Sequence, residues 1–127
     1  MQRATISDAA EVDRWVRRDF PEAGSLEGML SDELNVCLAM SEGGVIFVWR
    51  GPGIYECHCF FDLRGREALN ACHAMFDHMR REHGATMFWA AVPNDSRKVK
   101  LFCRYLGWRS AGHATFAHGR CELFIGE

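Results

Sequence analysis

Glu56 and His58 stand two residues apart in the run Ile54-Tyr55-Glu56-Cys57-His58-Cys59-Phe60-Phe61, which has the alternating character of a β-strand. On an extended strand that spacing places both side chains on one face with Cα atoms ~6.7 Å apart, so either can take a proton from an amine, directly or through a water. Cys57 and Cys59 then point to the opposite face. A half-exposed antiparallel strand shows the same alternation, so the pair reads either as a proton acceptor or as the solvated side of a sheet. Immediately downstream, Asp62-Leu63-Arg64-Gly65-Arg66-Glu67-Ala68 joins the strand to a helix. The free N–H groups of a helix's first turn and the helix dipole favour an anion, and Arg64 and Arg66 add direct charge, which suits a phosphate.

Other chemistries fit the spacing less well. Cys57, His58 and Cys59 are adjacent strand residues that face alternate ways, and no second ligand pair has zinc-site spacing. His73, His78 and His83 are five apart, which turns about 140° per step around a helix, so they do not make a facing metal pair. No metal is expected. No nucleophile is paired with a base in a recognisable arrangement, which points away from a covalent enzyme intermediate. Met87-Phe88-Trp89 lacks interleaved Arg or Lys and reads as core rather than as a platform for stacking bases.

These residues need elements to hold them. The chain has 127 residues, the length of one domain, read here as spanning residues 1–127. Apolar residues at 48% and charged residues at 25% are ordinary for a globular protein and exclude a disordered or collagen-like chain or a membrane span. Fifteen basic against seventeen acidic side chains give a net charge of −2, so neither nucleic acid nor a membrane surface is an expected partner. Six cysteines occur without a Cys-x-x-Cys, mostly at core positions, and the opening MQRATISDAAEVDR has no basic flank followed by an apolar run. Reduced thiols in a cytoplasmic protein follow as the expectation.

Ser7 and Asp8 can cap a first helix to about Asp19, and a short helix is expected over Leu26 to Leu30. Strands follow at Val36 to Met40, Val45 to Arg50 and Ile54 to Phe61, separated by Gly43-Gly44 and Gly51-Pro52-Gly53, which predicts antiparallel neighbours. Ala68, Leu69, Cys72, Met75, Phe76 and Met79 repeat at helical spacing in a helix that ends at Gly84. Thr86 to Val92 reads as a buried strand, so this helix should cross between two parallel strands with the right-handed sense. Pro93-Asn94-Asp95 caps a second helix to about Leu106, with Val99, Phe102, Cys103 and Leu106 inward. Two or three short strands fill Trp108 to Ile125, with a turn at His118-Gly119. The expected fold is α/β (α+β), a mixed, mostly antiparallel sheet with a central parallel βαβ unit flanked by helices.

The segment ECHCFFDLRGREALNACHAMFDHMRREHG resembles the fourth strand, cofactor loop and third helix of the GNAT superfamily of acyl-CoA N-acyltransferases. VPNDSRKVKLFCRYLGW is similar to that family's next strand end and helix, with Leu106-Gly107-Trp108 standing for its Leu-Gly-Phe. The similarity spans roughly residues 54 to 112. Tyr55-Glu56-x-His58 followed by Arg64-Gly65-x-x-Ala68-Leu69 most resembles a small phage and prophage branch.

The resemblance implies a GNAT fold and acetyl-CoA as acyl donor, with no metal. The pantetheine arm would pair like an extra strand between two splayed parallel strands. By match, the backbone of Cys59, Phe60 and Phe61 meets that arm, and Asn94 lies beside it. The amides of Arg64, Gly65, Arg66, Glu67, Ala68 and Leu69 hold the pyrophosphate. Glu67 and Leu69 stand where the family carries its later loop glycines, and Cys103 stands where a tyrosine often protonates the departing thiolate. Cys103 also sits on the apolar stripe of its helix, which suits packing, and Tyr105 lies on another face.

The function implied is transfer of an acetyl group from acetyl-CoA to an unidentified amine, on a small molecule or a protein, with Glu56 or His58 as general base in the cytoplasm of a bacterial host cell. The alternative is a catalytically inactive GNAT-fold binding protein of phage or prophage origin that docks to a protein partner, in line with Cys103 and the altered loop. A homodimer is compatible with either.

Overall fold

The computed structural model describes residues 2–3, 30–40, 42–61, 64–117 and 119–127. The helix expected from Ser7 to Asp19 lies outside them, as does the short helix expected over Leu26 to Leu30 up to its last residue. The described elements are β1 (Gln2–Arg3), β2 (Val36–Met40), β3 (Gly43–Gly51), β4 (Ile54–Phe61), α1 (Gly65–His83), β5 (Met87–Pro93), α2 (Arg97–Tyr105), β6 (Arg109–Phe116) and β7 (Gly119–Gly126). The strands form one sheet in the order β1-β2-β3-β4-β5-β7-β6. Only β4 and β5 pair in parallel; the remaining neighbours among the described residues are antiparallel. This is the mixed sheet with a central βαβ unit that the period change at Ala68 predicts.

Two boundaries differ from the expectation. Gly43 and Gly44 do not separate two strands; they open β3 and pair with Phe61 and Phe60 on β4. A Cβ on Gly43 would run into the Phe60 carbonyl oxygen, and one on Gly44 into that of Leu38, so close backbone approach rather than a turn explains this pair of glycines. At the start of α2 the cap residue is Ser96, without a side-chain cap bond. Pro93 closes β5, and the Ser96 N–H donates to its carbonyl across a turn through Asn94 and Asp95.

The core lies between the sheet and α1. The apolar stripe Ala68, Cys72, Met75, Phe76 and Met79 is the buried side of α1, meeting Val36, Val45, Phe47, Tyr55 and Phe88 from the sheet. Phe76 is the hub, with ring centroids 4.9 Å from Phe88, 5.2 Å from Trp108 and 5.8 Å from Phe47. Tilted and edge-on rings at such distances add to the burial of large side chains and hold α1 against β3 and β5. Cys103 and Leu106 of the α2 segment join the same core and Phe102 packs against it, whereas Val99, expected inward, is exposed. Both helices therefore pack on the face carrying Tyr55, Cys57 and Phe88, while Glu56, His58 and Trp89 belong to the other face by alternation.

Candidate active site

Pairing of β4 with β5 is brief. Ile54 faces Met87, Tyr55 faces Phe88 and Glu56 faces Trp89, and the ladder then stops. Both strands run on, β4 to Phe61 still paired to β3, and β5 to Pro93 still paired to β7. Beyond Glu56 the inner edges of two parallel strands thus face each other across a widening slot. Strand edges present N–H and C=O groups in alternation, so an extended chain bearing amides can enter such a slot and pair with the backbone. Cys59, Phe60 and Phe61 line its β4 wall. At its apex the Trp89 N–H approaches the sulfur of Cys57.

Glu56 and His58 sit at that apex and touch. His58 Nε2 lies 2.6 Å from Glu56 Oε2, and Arg50 donates to the other carboxylate oxygen through Nε at 3.1 Å and Nη2 at 2.9 Å. Hydrogen bonding from His58 outweighs the opposing effect of burial, and with Arg50 it holds the Glu56 carboxyl below its ordinary value. Sequence reasoning missed Arg50. It is the extra residue of a β-bulge, because Trp49 pairs with Tyr55 and Gly51 with Ile54, and bulges re-aim side chains next to functional sites. The hairpin separator Gly51-Pro52-Gly53 signalled a turn but carried no sign of the bulge.

The slot opens toward the C-terminal ends of both parallel strands, the end where ligands of open α/β sheets bind. Seven of the expected cofactor positions, Arg64 to Leu69 and Asn94, follow those two strand ends in the chain. Arg64, with extended backbone and no side-chain cap bond, precedes Gly65, whose φ of +58° is a left-handed conformation open to glycine without strain. A Cβ at Gly65 would meet nothing within 4 Å. Conformation, not crowding, requires the glycine. Arg64, Gly65, Arg66 and Glu67 are exposed, Leu69 is half-buried and Ala68 is buried in the core. Asn94 follows directly on β5, its N–H bonded to the Arg120 carbonyl and its Oδ1 accepting from Lys100 Nζ at 3.3 Å.

The helix-facing floor of the slot is lined with thiols. Cys57, Cys72 and Cys103 are buried in the core cluster and Cys59 packs against it; all six cysteines are thiols outside any disulfide. Contact with the Cys72 thiol, together with burial, pushes the Cys59 thiol up, and burial does the same at Cys57. Burial pushes Cys103 up to about 12. Tyr105 is 66% exposed and turns away from the core, so the two side chains occupy different faces of α2 as their spacing implies. His78 and His83 approach each other with ring centroids 5.7 Å apart, closer than their 140° separation suggests, because the rings reach across the last turn of α1. Among the described residues no group of His, Cys, Asp and Glu is arranged to hold a metal ion, and no helix is long and apolar enough to cross a membrane.

Sequence comparison matches no family model and no curated protein. Solved structures do match in shape. Ribosomal-protein-S5-alanine acetyltransferase from Vibrio fischeri aligns with 98% of this chain and 90% of its own at a TM-score of 0.74 and 14% identity. A mutant of spermidine N-acetyltransferase SpeG from Vibrio cholerae aligns with 98% of this chain and 92% of its own at 0.77 and 9%. Aminoglycoside acetyltransferase AAC(6')-Ib, solved in complex with coenzyme A, aligns over the same shares at 0.75 and 10%. At these identities the likeness shows the fold alone, a mixed α+β fold that this chain shares with these three proteins.

Proposed function

We propose that the protein transfers an acetyl group from acetyl-CoA to an amine, with His58 as proton acceptor and Glu56 as the carboxylate that orients it. One observation carries the reading: the Arg50–Glu56–His58 array stands at the apex of the slot between β4 and β5. The pantetheine arm suits that slot because its amides can pair with the strand edges, and Cys59 to Phe61 form one wall. Its pyrophosphate suits the amides at the start of α1 beside Arg64 and Arg66, with Asn94 across the mouth. The coenzyme A complex of a protein with this fold supports the choice of donor.

The amine nitrogen bonds to the thioester carbonyl carbon, the C–S bond breaks and the sulfur leaves as thiolate, while the amine proton passes to the imidazole. His58 is oriented by its Nε2 contact with Glu56 and takes the amine proton on its ring as general base. Glu56 is held as a carboxylate and is a weak base. Its role is instead to hold the imidazole in place through the Nε2 contact. The phage-like motif around Tyr55 and Arg64 supports a setting in the bacterial cytoplasm.

One observation favours a second reading, a GNAT-fold protein that docks to a protein partner without turnover. Cys103 occupies the place of the usual tyrosine, and with burial pushing its thiol up to about 12 it is a poor proton donor to a departing thiolate. The proposed enzyme therefore releases its thiolate without help from Cys103. Thermal melting with acetyl-CoA and a thiol-release assay over a panel of amines test the two readings. Acetyl-CoA at ~100 times its Kd adds ~2.7 kcal/mol, and amine-dependent thiol release establishes transfer. Stabilisation without release on any amine favours the docking protein. An unchanged midpoint at millimolar acetyl-CoA removes the acyl-donor reading.

A further inference from the structure

Glu122 is the one buried charged side chain among the described residues. It lies on β7 opposite Val92 of β5 and His113 of β6, on the face covered by the helices. Lys100, in the first turn of α2, folds inward to it, with Nζ 3.1 Å from Glu122 Oε1 and both side chains largely shielded from solvent. The Ser110 hydroxyl also donates to Glu122, and His113 Nε2 stands 3.9 Å away. A buried ion pair is costly to desolvate and is weak evidence for stability by itself. What this pair reaches is more informative: Lys100 Nζ also donates to Asn94 Oδ1 at 3.3 Å.

An asparagine amide has one oxygen and one NH₂ group. With Oδ1 held by the ammonium, and the Asn94 backbone tied to Arg120, the amide's orientation is set and its NH₂ is the end presented to a ligand. A pantetheine arm carries amide carbonyls, which accept such bonds. We infer that Lys100, anchored by Glu122, is a positioning residue that fixes the Asn94 amide as a donor toward an amide carbonyl of the acyl-donor arm. The inference rests on the acyl-CoA reading of the slot. It gives the Lys100–Glu122 pair, outside the Arg50–Glu56–His58 array, a role in donor recognition.

Lys100→Met alone leaves Glu122 buried without its partner, so the test variant is the double K100M/E122Q, which removes both charges together. Calorimetric titration with acetyl-CoA is run on the parent, N94A, K100M/E122Q and the combination of all three substitutions, with melting temperatures as a check on folding. N94A and K100M/E122Q are each expected to weaken binding about tenfold, and the combination to be no weaker than N94A. In turnover, KM for acetyl-CoA should rise with kcat nearly unchanged. Parent-like binding by K100M/E122Q overturns the inference while leaving the acyl-CoA reading intact. So do losses that multiply to about a hundredfold in the combination, because Lys100 then acts independently of Asn94. A parent that does not bind acetyl-CoA removes both.

Discussion

His58 Nε2 lies 2.6 Å from Glu56 Oε2 at the last point where β4 is joined to β5. On the proposed reading, this contact divides the work between two groups that share one strand face. A carboxylate bound by Arg50 and His58 has little basicity left, whereas the imidazole gains an orientation and a counter-charge.

This division predicts unequal mutants. His58→Ala should lower kcat by ~10²–10⁴-fold with acetyl-CoA affinity nearly unchanged, the cost of removing a general base. Glu56→Gln should cost less, because the imidazole stays in place and loses only its carboxylate partner. A Glu56→Gln enzyme as impaired as His58→Ala would make Glu56 the base. Full turnover in both variants across pH 6–9 places the base elsewhere.

The same contact makes a prediction about acid stability. Glu56 is held below its ordinary value in the folded protein, so the unfolded chain takes up a proton there first as pH falls. The stabilisation is present above the unfolded value of ~4.3 and is lost as pH drops through the lower folded value. Chemical denaturation between pH 7 and pH 3 should show the parent losing more stability than Glu56→Gln over the acid part of that range. Parallel curves would mean that the Arg50 and His58 contacts do not persist in solution.

Glu67 brings a carboxylate into the first turn of α1 beside Arg64 and Arg66, and it shares a surface hollow with Glu42. Such a carboxylate favours the helix by ~0.3–1 kcal/mol. Against a phosphate within ~6 Å it costs up to ~2–3 kcal/mol at an effective dielectric of ~20, a figure that solvent reduces because Glu67 is exposed. Glu67→Gly should therefore tighten acetyl-CoA binding and lower the melting temperature of the free protein, since glycine is a poor helix former. Titration at low and moderate salt measures the first effect, which should shrink as salt rises. Weaker binding by the glycine variant would show that Glu67 contributes to the site.

Cys103 should be inert. A thiol at about 12 has roughly three orders of magnitude less thiolate at pH 7.5 than one at ~8.5, and the thiolate is the nucleophile. Iodoacetamide mapping by mass spectrometry should find Cys103 unmodified in the native protein and modified after denaturation, and Cys103→Ala should retain turnover. A loss of kcat in a folded Cys103→Ala, without loss of acetyl-CoA affinity, would restore it as the proton donor.

The amino-acid sequence by itself determined the elements. Strand bounds at Val36–Met40 and Ile54–Phe61, the helix through Cys72 and Met79, and the strand–helix–strand order were legible because side-chain periodicity is a local property written at spacings of two and three to four residues. The shared face of Glu56 and His58 followed from the same rule, as did the burial of Cys103 and the exposure of Tyr105. Tertiary structure decided what depends on register and on where strands part. Arg50 reaches Glu56 because a bulge offsets β3 against β4, and the slot exists because β4 and β5 separate after Glu56 and Trp89. Gly43 and Gly44 look like a turn and serve as close backbone contacts. Lys100 and Glu122 are 22 residues apart in number and meet because α2 packs over β7. A pairing of that kind depends on the packing of the whole sheet against its helices, and no local pattern in the chain encodes it.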